Sequence, residues 1–296
     1  METKQYSIEN ASVRLTVCTH GAEAVSVLNK ATGAEMLWQA DPAVWGRHAP
    51  ILFPYPGKLT GGKMIAKGRE YAGGQHGFAR DQEHVLVSQT ADTLVFELSE
   101  NETTLAMWPY AFLLRSTFRL EGKTVHHTLT VENRTEESLL FGIGYHPAFN
   151  MPFDDKHTTA DYEFRFDQVE SPLCLDTFPS GLLEGTCRYL VRNTDTIPLT
   201  DDLFDNDSHC MVNLKSHTIA LVEKDTGRRI TCDITDFPYT VIWSMPKKPL
   251  PFICIEPWQA VPGEKEGPLE WERRPASAKL KKGESWSTTL STTFDR

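Results

Sequence analysis

The sequence predicts an all-β fold, a single many-stranded antiparallel domain over residues 1–296. Three observations carry this. Apolar side chains recur with a period of two rather than 3.6 along most of the chain. Short clusters of Gly, Asp, Asn and Pro separate these runs, as turns do between strands. No amphipathic helical pattern of about ten residues or more is found, and there is no strict repeat or low-complexity linker. A chain of 296 residues could be two ordinary domains. All-β sandwiches and barrels often run past roughly 200 residues as one unit, so one domain is the economical reading.

Taken in order, the alternation begins with Val13, Leu15 and Val17 and continues through 24–28 after Gly21, an opening β-meander. Thr32-Gly33 supplies a turn before Met36-Leu37-Trp38. Over 41–63 the pattern breaks into a Pro- and Gly-rich segment that reads as a long ordered loop. Pro54 and Pro56 each remove a ladder donor, so the chain from 52 to 58 is no regular central strand. Strands resume at 84–89 and 93–99. The pair 112–120 and 124–133, joined at Glu121-Gly122-Lys123, is the clearest hairpin. A strand over 138–145 then ends at His146-Pro147. Its Gly142, Gly144 and His146 share one face, and such glycines mark either the approach of a ligand or a crossing strand. Residues 154–210 are irregular, with strand-like pieces at 162–166 and 188–191. Alternation returns at 211–214, 218–224, 229–234 and 240–244, then in the run 252–258, and the chain closes with a strand at 285–294.

Composition narrows the function. Forty acidic residues against 30 basic ones give a formal charge of −10, and no basic run carries interleaved aromatics. Nucleic acid and anionic membrane are therefore not expected partners. The terminus Met1-Glu2-Thr3-Lys4-Gln5 has no basic start followed by an apolar stretch, and no segment reaches about 18 apolar residues. A cytoplasmic location follows as the expectation. The six cysteines are scattered singly without a CxxC pair, which fits reduced thiols better than disulfides or zinc.

Several familiar chemistries fail on spacing. There is no GxSxG elbow, GxGxxG, P-loop or HExxH. His126 and His127 are adjacent in a strand and face opposite sides, so they cannot chelate one metal together. His209 and His217 are isolated. Asp201, Asp202, Asp205 and Asp207 read as an acidic turn from which one side chain could project inward. Trp45, Trp108, Trp243, Trp258 and Trp271 are either core or stacking platforms.

Three residues stand out. In Phe252-Ile253-Cys254-Ile255-Glu256-Pro257-Trp258 an apolar strand ends in a carboxylate, with Phe252, Cys254 and Glu256 on one face and Ile253 and Ile255 on the other. A desolvated glutamate titrates towards neutrality and can serve as a general base, although a structural glutamate bonded to backbone would look the same. His146 lies at another strand end, and His76 in a Gly-flanked loop. An acid and a base on opposite sides of a small substrate would open and close a hemiacetal ring.

The stretches Ala49-Pro50-Ile51-Leu52-Phe53-Pro54, Gln75-His76-Gly77-Phe78-Ala79-Arg80, Gly144-Tyr145-His146-Pro147-Ala148-Phe149 and Phe252 to Trp258 resemble the aldose 1-epimerase (galactose mutarotase) family, in particular its LacX-like branch. They occur in the family's order and spread over most of the chain. The resemblance implies a large antiparallel β-sandwich, the galactose mutarotase-like supersandwich, with a hexose lying across an open groove. It matches Glu256 to the general base, His146 to the general acid and His76 to a second histidine in the pocket. Asp207 is the counterpart of a sugar-binding aspartate, with Asp205 as runner-up, and Trp258 is counted with the substrate-binding residues. Two departures stand. Gly57-Lys58 occupies the place where many relatives carry an arginine, and Lys58 lacks the planar fork. Arg80 resembles an arginine of the hexose-6-phosphate branch, whereas Arg47 is one residue out of step with that branch's other phosphate ligand.

The expected reaction has Glu256 taking the O1 proton while a charged His146 donates to the ring oxygen, with Glu256 ionised and His146 protonated in the free enzyme. No cofactor and no metal is needed. The expected partner is a small sugar, a hexose with or without phosphate, and the protein is a monomer or homodimer. Two other functions fit the same residues: a glycoside hydrolase using Glu256 and Asp207, and a non-catalytic sugar-binding protein on the same fold.

Overall fold

The computed structural model describes residues 3–295. Met1 and Glu2, part of the terminus read above, and Arg296 lie outside the described residues. Every strand ladder is antiparallel, and two large sheets dominate. The nine-stranded sheet runs Thr194–Pro198, Tyr162–Glu170, Thr218–Glu223, Arg229–Asp233, Ser285–Asp295, Thr124–Asn133, Phe112–Glu121, Thr93–Ser99, Val85–Gln89. An eight-stranded sheet runs Cys187–Tyr189, Leu173–Leu175, His209–Val212, Tyr239–Trp243, Phe252–Trp258, Gly144–Tyr145, Ile51–Leu52, with Ala148–Asn150 also pairing with Phe252–Trp258. The fold is an all-β antiparallel sandwich, as its residues predict.

The physics of the sheets is legible in their side chains. In the hairpin Phe112–Glu121 and Thr124–Asn133, Glu121 pairs with Thr124 across a tight turn, and Gly122 takes the positive φ of 57° that the turn requires. Leu114, Phe118, Leu129 and Val131 from this hairpin enter one hydrophobic core with Phe164, Ile219, Leu221, Ile242, Ile253, Ile255 and Leu290 from both sheets. Burial of this apolar surface is the main stabilising term. The Tyr145 hydroxyl ties the layers together, lying 2.8 Å from the His127 carbonyl and 2.9 Å from that of Thr288.

Four sequence expectations are revised. The strand expected over 138–145 is two strands, Leu139–Phe141 and Gly144–Tyr145, which pair in different sheets. Between them the Gly142 amide bonds to the Pro54 carbonyl at 2.6 Å, which diverts the ladder. The glycines on that face make room for protein rather than ligand: a Cβ on Gly144 would lie 2.7 Å from Trp258 Cδ1, and one on Gly142 2.8 Å from Ala260 Cβ. Met36-Leu37-Trp38 forms only isolated contacts, Leu37 bridging to Phe149. The long loop ends at Lys63 as expected, but a hairpin of Lys63–Ala66 and Arg69–Ala72 follows where no strand was expected before 84. One short helix, Glu102–Met107, is capped by Asn101, whose side chain accepts from Thr104 N–H at 3.0 Å. Among the described residues no helix is long and apolar enough to cross a membrane. Their cysteines are all free, and only Cys187 is exposed.

Candidate active site

The strand Phe252–Trp258 is buried at every position. Its alternation sends Ile253 and Ile255 into the core between the sheets and leaves Phe252, Cys254, Glu256 and Trp258 on the opposite face. On one side Val241 pairs with Glu256 and Trp243 with Cys254. On the other, Gly144 pairs with Trp258 and Ala148 with Cys254, a register that puts His146 directly across from Glu256. Directly opposed residues project to the same face of a sheet. Pro147 cannot donate there, so the ladder lapses at His146-Pro147 and both side chains turn into a cavity.

That cavity measures about 280 Å³, and its lining includes Glu256, His146, His76, Asp207, Arg80 and Trp258. Small-molecule sites run from roughly 300 Å³ upward, so it suits one compact ligand. His146 Nε2 stands 3.3 Å from Glu256 Oε2. The alignment falls short of a hydrogen bond, and Oε2 and His146 Nδ1 are buried without hydrogen-bond partners. The His146 ring stacks on Trp45, centroids 5.0 Å apart and planes at 24°, and meets Trp243 edge-on.

Burial, with Arg80 and Arg47 adding in the same sense, pushes His146 down to about 3. Burial, then the nearby Asp207 carboxylate, pushes Glu256 well above the usual carboxylate range. The expected charged His146 facing an ionised Glu256 is therefore corrected. Burial penalises both ions, which favours the neutral pair with the proton on Glu256. The pair carries one proton in either form.

His76 is held by its loop. Gly57 and His76 clasp each other, His76 N–H donating to the Gly57 carbonyl at 2.7 Å and Gly57 N–H donating to His76 Nδ1 at 2.9 Å. Since Nδ1 accepts, the neutral ring carries its proton on Nε2, and the Gln75 side-chain amide 3.1 Å away accepts from it with its oxygen turned to the ring. Burial first, then His146 and Arg80, hold His76 well below its ordinary value, so it is a neutral donor. Gly77 cannot be replaced cheaply: at φ 68°, a Cβ would sit 2.2 Å from the Phe53 carbonyl oxygen.

Asp207 sits in a turn at φ 68° and lines the cavity, whereas Asp205 faces away onto Lys248 at 3.3 Å. Lys58 is not brought into the lining. Its side chain is exposed, and its ammonium reaches the Ser180 carbonyl at 3.0 Å. Arg80 donates to the Gln75 carbonyl at 2.7 Å, but its buried Nε makes no hydrogen bond, with the Asp81 carboxylate 3.9 Å away. Arg47, out of step in the sequence, also lines the cavity and pairs with Asp81 at 2.7 Å. The lining also includes Trp45, Gln75, Thr177, Cys210 and Trp243, of which only the tryptophans carried a signal in the sequence. Trp108 and Trp271 are core.

Residues 4–293 match the family described as aldose 1-epimerase. The plasmid-encoded protein LacX of Lactococcus lactis subsp. lactis is 34% identical over 262 residues, covering 86% of this chain and 87% of that protein. A galactose mutarotase related enzyme from Lactobacillus acidophilus superposes with a TM-score of 0.94 at 30% identity, covering 99% of this chain and 98% of the other. A galactose mutarotase-like protein from Lactobacillus casei gives 0.91 at 29% identity, with 98% and 99% covered. A family match over nearly the whole length, with a relative 34% identical over most of both chains, shows that the chain belongs to the aldose 1-epimerase family of sugar isomerases.

Proposed function

We propose that this protein interconverts the α and β anomers of a hexose, with Glu256 and His146 as the acid–base pair. The observation that supports this most is the 3.3 Å approach of the two groups at the base of a cavity. Ring opening takes a proton from O1 and gives one to the ring oxygen while the C1–O5 bond breaks and the C1 carbonyl forms. A pair holding one proton does both and ends with the same count. We assign Glu256 as base and His146 as acid. On this reading the sugar's O1–H, donating to the carboxylate, draws the proton from Glu256 across to His146 before the bond breaks. Rotation about C1–C2 presents the other carbonyl face, and the steps reverse. His76, as a neutral Nε2–H donor, and Asp207, as an acceptor, hold sugar hydroxyls, and Trp258 packs against the ring.

The finer substrate reading is an anionic hexose, phosphorylated at the end away from C1. Arg47 and Arg80, both lining the cavity, support it, and Arg80 Nε has no hydrogen-bond partner. The chain acts as one cytoplasmic domain on this reading, supported by a core cluster that spans Ile8 to Phe294 and by free thiols. The test is the approach to equilibrium of freshly dissolved α-glucose, α-galactose and α-glucose 6-phosphate, followed by NMR. Acceleration of any of them supports the isomerase, and a preference for the phosphate that Arg80→Gln abolishes supports the anionic substrate. Sugar binding without acceleration would favour a binding protein, and sugar released from a glycoside would favour hydrolysis.

A further inference from the structure

Beside the cavity-lining His146 and Glu256, a buried thiol completes a donor set that anomer interconversion does not use in full. Cys254 shares its strand face with Glu256 and lies between Trp243 and Ala148 in the ladders. One ligand atom each from His146, Cys254 and Glu256 falls within 4.8 Å of the other two, and all three residues are buried. The carboxylate contributes an Oε2 with no hydrogen-bond partner.

We propose that His146, Cys254 and Glu256 form a site for a borderline divalent transition-metal ion of the zinc class, and that the bound ion shuts the enzyme by occupying its acid and its base. One sulfur, one imidazole nitrogen and one carboxylate oxygen are what such ions select, whereas magnesium and calcium require mainly oxygen. Bond lengths of about 2.0–2.3 Å space tetrahedral donors by roughly 3.3–3.8 Å. His146 and Glu256 already stand 3.3 Å apart, so Cys254 needs only a small inward adjustment. His146 and Glu256 line the cavity, which gives an ion its path of entry, while Cys254 lies buried behind them. Asp207 on the rim adds negative charge, and Arg80 and Arg47 oppose it, which makes this a site of moderate affinity.

A second cluster, Asp154, His157 and Glu223, meets the same proximity criterion and shows by contrast what a site requires. Arg228 Nη2 lies 2.5 Å from both Asp154 Oδ2 and Glu223 Oε1, so those carboxylates already hold a cation, and no sulfur is present.

Binding stands independently of the proposed reaction, while the inhibition rests on that reading. The test is a Co²⁺ titration of the whole protein, read by the thiolate-to-cobalt charge-transfer absorption. Wild type and Cys210→Ala are expected to develop the band and Cys254→Ala to lack it, with affinity weakened roughly tenfold or more in His146→Gln. Zn²⁺ is then expected to slow anomer interconversion by wild type, while Cys254→Ala retains the metal-free rate and resists zinc. A band that persists in Cys254→Ala, or no band in wild type, would overturn the site. Equal zinc inhibition of wild type and Cys254→Ala would overturn its regulatory role. Because the band does not depend on turnover, a protein that binds cobalt but does not act on sugars would fail the functional reading alone.

Discussion

Two histidine–glutamate contacts in this molecule have nearly the same length and opposite chemistry. His146 Nε2 lies 3.3 Å from Glu256 Oε2, and His157 Nδ1 lies 3.4 Å from Glu223 Oε2. Hydrogen bonds to Asp154, then Asp225, raise His157 to about 8. Burial works to raise Glu223, but hydrogen bonds from Thr226, Tyr162 and Arg228 outweigh it and hold the carboxylate low. That contact is a saturated ion cluster. At His146 and Glu256 burial outweighs the one hydrogen bond that opposes it at each, so the histidine falls, the glutamate rises, and both keep an unsatisfied atom. The distance between two groups does not set their protonation; what else bonds to them does. Perturbed groups left unsatisfied and facing a cavity are the candidates for catalysis, whereas perturbed groups in a closed network are structural.

Exchanging the two glutamates breaks the comparison most sharply. Glu256→Gln should cut the anomerisation rate by roughly 10²–10⁴-fold, since it removes one proton-transfer group, and leave the thermal midpoint unchanged or raised because a buried acid is gone. Glu223→Gln should do the reverse, lowering stability by roughly 1–3 kcal/mol by removing the carboxylate that Arg228, Tyr162 and Thr226 bond, with Arg228 and His157 left on Asp154, while activity per folded molecule holds. Calorimetry and anomer kinetics on the two variants check both halves.

His146→Asn should lose roughly 10²-fold or more in rate, with the pH profile of any residual activity altered, whereas His157→Asn should leave the profile unchanged. In metal-free buffer the wild-type rate should fall on the acid side only towards about 3, where His146 takes a second proton, and on the alkaline side once the pair's last proton leaves. A limb near 6.5, an ordinary histidine's value, would show that the pair is not in the neutral form.

Stability against pH gives the smallest effect, with opposite signs. Folding raises His157, so its contribution is full below about 6.5 and is lost as pH rises through about 8. Folding lowers His146, so the native state resists a proton that the unfolded chain accepts, and stability declines as pH falls from about 6.5 towards 3. Differences in thermal midpoint between wild type and each Asn variant, measured across pH, should therefore slope in opposite directions.

How much of this the sequence reveals depends on whether a local rule or a distant contact fixes each residue. The alternation in Phe252-Ile253-Cys254-Ile255-Glu256 is local, and it correctly divides core from cavity. The 112–133 hairpin is legible for the same reason. The break after Phe141 is not, because the Pro54 carbonyl that diverts the chain lies far away in sequence. The Glu102–Met107 helix is too short to show a period and depends on the Asn101 cap. Within the site, Asp207 and Asp205 are alike in sequence, and only Lys248 and the turn at Asp207 separate them. Arg47 is one residue out of step in the sequence, while the fold places its guanidinium beside that of Arg80 through their shared contact with Asp81. The protonation of Glu256 and His146 is also out of reach of the sequence, since desolvation belongs to the assembled cavity.

The central claim is that Glu256 and His146 act as one proton-sharing unit. The most direct test compares anomer equilibration rates of Glu256→Gln, His146→Asn and the double variant against wild type. If the two form a unit, the double variant is about as slow as the worse single variant, because the second loss removes nothing further. Losses that multiply, or single variants as fast as wild type, would contradict the account.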